Sequence, residues 1–177
     1  MKTKELIKLA VEILEMNDLN YALTGSLMLF IRDHSLTRAP VDIDLVGMIS
    51  GDPTDLKLPP GFIYKQTEGL GSEVDAITFF NEELDVKVDF LYGDEEFEYI
   101  FFRGYTIPCG QLEALIDAKL QYYHHDVYEP SAQKHYEDLC ALISYMSIRQ
   151  LEIFHKPREV RKSSTVYSIK INEDGKD

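Results

Sequence analysis

Thr24-Gly25-Ser26 and, a short interval later, Val41-Asp42-Ile43-Asp44-Leu45 are the stretches that decide the reading of this chain. A Gly-Ser turn at the start of a helix presents backbone N–H groups to phosphate. In an extended segment side chains alternate, so Asp42 and Asp44 share one face and Val41, Ile43 and Leu45 the other. The expected element is a half-buried strand whose apolar face enters the core and whose other face carries two carboxylates. Together the two stretches suggest a site for a metal-bound nucleoside triphosphate.

A second segment completes the pattern. Leu84-Asp85-Val86-Lys87-Val88-Asp89-Phe90 has apolar residues at 84, 86, 88 and 90, with Asp85, Lys87 and Asp89 on the opposite face. If this strand lies beside 41–46, Asp89 converges on Asp42 and Asp44. Three carboxylates brought together repel unless a counter-charge is present. Mg²⁺, with Mn²⁺ as the alternative, is a hard cation that binds carboxylate and phosphate oxygens together. Two such ions activate an attacking hydroxyl and stabilise departing pyrophosphate. An isolated Asp-x-Asp often only solubilises a strand edge. The chain order, Gly-Ser, helix, Asp-x-Asp and then a later Asp, is what separates this case from that one.

Outward from these segments, apolar spacing predicts a helix over 2–17, ended by Asn17-Asp18-Leu19-Asn20. Tyr21-Ala22-Leu23 is expected as a short strand and 27–34 as a helix with Ser26 near its N-cap. Residues 50–60, with Gly51, Pro53, Pro59 and Pro60, read as a loop or broken helix, and Phe62-Ile63-Tyr64 as a strand. Glu68 to Ser72 reads as flexible, and 74–80 with 84–91 as a hairpin joined at Asn81-Glu82-Glu83. After Gly110, two helices are expected, one through Leu112, Leu115, Ile116 and Leu120 and one through Tyr136, Leu139, Ile143 and Met146. A short helix near 151–154 follows. The predicted class is α+β: a mixed sheet flanked by helices, with a C-terminal helical unit. The expected division is a core at 1–107, a helical unit at 108–156 and a polar tail at 157–177. Within that tail, 166–171 could dock as an edge strand.

The 177 residues are 45% hydrophobic, enough for one domain with a sizeable core, and carry a formal net charge of −13. That balance argues against a surface built to grip long nucleic acid by neutralising phosphates. No apolar run approaches membrane-spanning length, and the N-terminus lacks a secretory apolar region. Cys109 and Cys140 have no metal-binding spacing and read as reduced, packed thiols of a cytoplasmic protein.

The three elements Gly25-Ser26, Asp42-Ile43-Asp44 and Val88-Asp89-Phe90 resemble the pattern of the DNA polymerase β-like nucleotidyltransferase superfamily. Arg38, four residues before Asp42, resembles the arginine of the Arg-x-Thr-x-Asp-x-Asp-Leu form in abortive-infection-type (type IV toxin–antitoxin) nucleotidyltransferases. Leu112-x-x-Leu115-Ile116-x-x-Lys119-Leu120 and Lys134-His135-x-x-Asp138-Leu139 resemble the later helices of that family. Pro40, Ala132 and His135 depart from its pattern. The resemblance spans residues 20–145. It implies that Asp42, Asp44 and Asp89 bind the metals, that Gly25 and Ser26 hold the triphosphate, and that Lys119, Lys134 and Arg38 assist with its charge.

Each of these residues also has a plainer reading. Lys119 could snorkel from a buried stripe, and Lys134 could pair with Asp138 one turn along its helix. Arg32 and Arg38 could simply neutralise the acidic cluster. His124-His125-Asp126 reads as a solvated helix end, and the basic stretch 156–162 as a soluble tail. Three functions follow. The first is Mg²⁺-dependent transfer of a nucleoside monophosphate from NTP to a hydroxyl of tRNA or protein, toxin-like, with an antitoxin-like partner. The second is transfer to an antibiotic. The third is an inactive binding module on the same fold.

Overall fold

In a computed structural model of the chain, the described residues are 2–36, 38–48, 55–65, 76–93, 96–125 and 129–158. Helix α1 (Thr3–Met16) begins where the Glu5 carboxylate accepts a hydrogen bond from the Lys2 backbone N–H. It buries one stripe: Leu6, Ile7, Leu9, Ala10, Ile13 and Leu14. Asn17 ends it as expected. Its amide donates to the carbonyls of Ile13 and Lys57 (both 2.8 Å), and its carbonyl oxygen accepts from Lys57 N–H, so the helix end also fastens the 55–58 loop.

The chain then enters the middle of a seven-stranded mixed sheet. Strand β1 (Tyr21–Thr24) is buried along its whole length, because it has neighbours on both sides. Helix α2 (Gly25–Arg32) follows without a linker and packs on β1, on β2 (Ile43–Gly47) and on β6 (Glu98–Phe102). The remaining strands are β3 (Ile63–Lys65), β4 (Ala76–Asn81), β5 (Val86–Tyr92) and β7 (Tyr105–Cys109). The spatial order is β3-β4-β5-β2-β1-β7-β6. β2 lies antiparallel to β1 and parallel to β5, so the strand of the Asp pair and the strand of the third Asp are direct neighbours. Leu23, Ile43, Leu45, Val88 and Phe90 are fully enclosed, and Tyr21 meets Phe90 edge-on at 5.0 Å between ring centres. Enclosing each such aliphatic or aromatic side chain is worth about 1.5–3 kcal/mol.

Helices α3 (Leu112–His125), α4 (Glu129–Leu142) and α5 (Ile148–Phe154) follow the sheet. α3 packs on α4 and α5, and the rings of Tyr123, Tyr136 and Phe154 cluster with centres 5.5–5.9 Å apart where the three meet. Ser147 caps α5. Its hydroxyl accepts from Gln150 N–H, while the Gln150 side chain accepts from Ser147 N–H. This is a Ser-x-x-Gln capping box legible in sequence. No helix among the described residues is long and apolar enough to cross a membrane.

Several local expectations need correction. Strand β2 begins at Ile43, so Val41 stands outside it and is 67% exposed instead of buried. β5 begins at Val86: Leu84 is exposed and Asp85 belongs to the turn, in a left-handed conformation (φ 50°), not to the Lys87–Asp89 face. The β6–β7 hairpin was not anticipated. Its turn is Arg103-Gly104, both with positive φ, the conformation that two-residue hairpins require. His124 is buried against Tyr123 and is not a solvated end. Cys109 is buried, but Cys140 is exposed. Residues 50–54, Glu68 to Ser72, the start of the 74–80 strand, Asp126, 159–162 and the 166–171 segment lie outside the described residues.

Candidate functional site

A single row of residues crosses four strands. Thr24 on β1 faces Asp44 on β2, Asp44 faces Asp89 on β5, and Asp89 faces Thr78 on β4. Residues directly opposite in register share a face, so this row sets two carboxylates side by side between two threonines. Asp42 lies two residues ahead of Asp44, just before the strand starts. The row ends at the first turn of α2. Gly25 there has φ +66°, and a Cβ on it would lie 2.0 Å from Asp44 Oδ2. Glycine is therefore required twice over, for the left-handed backbone and for the approach to the carboxylate. Ser26 is buried beside it. The backbone N–H groups of this first turn have no partners within the helix and carry the positive end of its dipole.

Thr78 Oγ1 donates to Asp89 Oδ1 (2.8 Å), and Lys87 Nζ donates to Asp89 Oδ2 (2.5 Å). The same ammonium is 4.0 Å from Asp42 Oδ2. Asp44 is the most perturbed carboxyl of the group. Enclosure by the protein pushes it up to about 7, the charges of Asp42 and Asp89 add to the rise, and Lys87 and Lys119 oppose it. Burial lowers the Lys87 pKa, but its bond to Asp89 and the charges of Asp89, Asp44 and Asp42 outweigh that and raise it. The donor chemistry fits a hard divalent cation: all the converging oxygens are carboxylate, and a nearby positive charge favours the ionised form of Asp44. Among the described residues, no three His, Cys, Asp or Glu side chains are gathered so as to hold a metal ion as they stand. An ammonium lies between two of the carboxylates.

Two residues of the helical unit, Lys119 and Tyr122, interact electrostatically with the carboxylates. Lys119 on α3 is buried, and its Nζ donates to Asp138 Oδ2 on α4 at 2.7 Å. Asp138 is thus taken by Lys119 across the helix pair, not by Lys134 along its own helix. One turn after Lys119, Tyr122 stacks on His135 with ring centres 5.0 Å apart. Burial raises the Tyr122 hydroxyl pKa, and the charges of Asp44 and Asp89 raise it further. Arg38 is exposed, and Lys134 is half-buried; among the described residues neither is joined to the three aspartates by a hydrogen bond or ion pair. Arg32 points elsewhere: it bonds Glu98 and the Gly110 carbonyl, tying α2 to the β6 edge.

The structure thus brings together Asp42, Asp44, Asp89 and Gly25, with Lys119 in electrostatic range. Sequence reasoning passed over Thr78, Lys87 and Tyr122. Lys87 had a signal, since it shares a face with Asp89. Thr78 had none, because its role depends on the β4–β5 register.

No protein-family profile and no curated protein matches the chain. Solved structures do. ANT(2″)-Ia, determined in complex with adenylyl-2″-tobramycin, superposes with a TM-score of 0.58 at 18% identity, over 85% of this chain and 93% of that one. An H. pylori protein assigned provisionally as a nucleotidyltransferase gives a TM-score of 0.51 at 16% identity, over 85% and 72%. At these identities the likeness is one of fold. The mixed seven-stranded sheet with its flanking helices is a nucleotidyltransferase-like fold.

Proposed function

We propose that the chain is a metal-dependent nucleotidyltransferase that moves a nucleoside monophosphate from an NTP to a hydroxyl acceptor. The observation that carries this reading is the register pairing of Asp44 with Asp89 beside the left-handed Gly25 that opens α2. Asp42, Asp44 and Asp89 would hold Mg²⁺ or Mn²⁺. When bound, the metal supplies the positive charge that lets a triphosphate approach three carboxylates. The N–H groups at Gly25 and Ser26 receive the β- and γ-phosphates at the helix start. Lys119, Arg38 and Lys134 add positive charge around them. Asp89 takes the proton of the acceptor hydroxyl. The acceptor oxygen forms its bond to the α-phosphorus as the bond to the β-phosphate bridge breaks, and pyrophosphate leaves.

Two acceptor classes are in play. Resemblance to toxin-type enzymes favours a hydroxyl of tRNA or protein, with an antitoxin-like partner. The fold shared with ANT(2″)-Ia, solved with an adenylylated antibiotic, favours a small cationic drug, and a chain of net charge −13 suits such a substrate. The two free cysteines fit a reducing, cytoplasmic setting.

The test is transfer of label from each α-labelled NTP, with Mg²⁺, to tRNA, to protein and to an aminoglycoside. Wild-type protein should label one acceptor class, and Asp42→Asn or Asp44→Asn should abolish labelling while the melting curve stays cooperative. Undiminished transfer by either variant would show that the chemistry lies elsewhere. Mg²⁺-independent nucleotide binding without transfer would leave a binding module.

A further inference from the structure

We infer that Lys87 is the internal counter-cation of the carboxylate site, holding Asp42 and Asp89 together until a divalent cation displaces its ammonium. The inference rests on the reading of Asp42, Asp44 and Asp89 as metal ligands. Lys87 and Asp89 are two residues apart on β5, so both side chains leave the same face. The parallel register pairs Ile43 with Val88, and Asp42 and Lys87 are the residues that immediately precede this pair. The distances agree: Lys87 Nζ is 2.5 Å from Asp89 Oδ2 and 4.0 Å from Asp42 Oδ2. One ammonium therefore spans two carboxylates that come from separate segments of the chain.

An exposed lysine–carboxylate pair is ordinarily worth little. Three features set this one apart. Asp89 Oδ1 is already occupied by Thr78, so Lys87 holds the oxygen that remains. The other nearby cation, Lys119, is buried and engaged by Asp138 at 2.7 Å, which keeps it out of the position. The Lys87 side chain is 44% exposed, so its stem can turn into solvent without opening the core. A dication and the ammonium repel when crowded between the same oxygens. At the effective dielectric of a protein surface, a positive charge within a few ångströms weakens metal binding by roughly tenfold or more. Lysine's flexible four-carbon stem suits a group that must move.

The experiment is calorimetric titration of the full chain with Mn²⁺ alone, without nucleotide, paired with melting curves in EDTA. Lys87→Met keeps the stem and removes the charge. It should bind Mn²⁺ roughly tenfold tighter than wild type or better, melt lower than wild type in EDTA, and recover when Mn²⁺ is added. Lys87→Arg keeps the charge and should track the wild type in EDTA. If Lys87→Met fails to fold in EDTA, folding restored by Mn²⁺ supports the inference and failure to restore it overturns it. Equal or weaker Mn²⁺ binding by Lys87→Met than by wild type overturns the inference while leaving the metal reading intact. Absence of Mn²⁺ binding by wild type and variant alike overturns both.

Discussion

Gly25 is held in the left-handed region, where an L side chain costs about 1–2 kcal/mol, and it also abuts Asp44. Gly25→Ala should therefore destabilise the protein by at least that amount in urea titration and displace the Asp44 carboxylate. A loss no larger than that of an exposed Gly→Ala change would show that α2 re-forms without the contact. Thr78→Val removes the donor from Asp89 Oδ1 without changing shape much. Losing a bond to a buried carboxylate should cost about 1–3 kcal/mol, read as a lower denaturation midpoint. Asp44 makes a prediction about pH. Its carboxyl rises from an ordinary 3.8 to about 7 because it is enclosed. A group whose folded pKa exceeds its unfolded one favours folding below the unfolded value, and that contribution is lost as pH rises through the folded value. In EDTA, wild type should lose more melting temperature between about pH 4 and pH 8 than Asp44→Asn does. Parallel curves would mean that Asp44 does not titrate in this range. At this scale the three aspartates and Gly25 were legible, since each sits in a short pattern of neighbours. Thr78 was not, because its partner is eleven residues away on another strand.

The strands and helices show where local patterns speak and where they stop. Over the described residues alternation located the β4–β5 hairpin, but it ran β5 two residues too far back. Leu84 and Asp85 fit the period, yet they form the turn. The β6–β7 hairpin escaped because its turn is Arg-Gly, lacking the usual Asn or Asp, and its edge strand leaves Tyr99 and Phe101 exposed. Gly104 has φ +93° and open space around its absent Cβ, so Gly104→Ala should cost about 1–2 kcal/mol from the backbone alone, measured by denaturation. The α3–α4 pair is coupled by Lys119 and Asp138, whose side chains are 6% and 3% exposed. Removing one partner strands a buried charge. Lys119→Met alone should cost about 3–5 kcal/mol, and Lys119→Met with Asp138→Leu should recover most of it. A double variant no better than the single would place the cost in packing, not charge. Lys134 looked like the partner of Asp138 because helical spacing is visible in sequence. The contact between helices is not.

For the molecule as a whole, the proposed function predicts a coupling between ligand and stability. An NTP that binds only the folded state at about 100 times its Kd adds roughly 2.7 kcal/mol, a rise of several degrees in melting temperature. The rise should require Mg²⁺ and vanish in Asp44→Asn, and the NTP giving the largest shift identifies the preferred base. No shift with any NTP would favour the inactive module. By itself the sequence determined the α+β class, the apolar faces of α1, β2 and β5 and the turn at Gly25-Ser26, and it singled out the three aspartates as candidates. These follow from periodicity and backbone preference, which are properties of residues close together in the chain. Only the tertiary structure decided that β5 lies parallel to β2, that Asp44 stands opposite Asp89, and that Lys119 answers Asp138. It also decided that Lys87 and Thr78 share Asp89 between them. Those pairings are set by strand register and helix packing, where the free energy of enclosing one apolar core selects among arrangements that local patterns leave equally open.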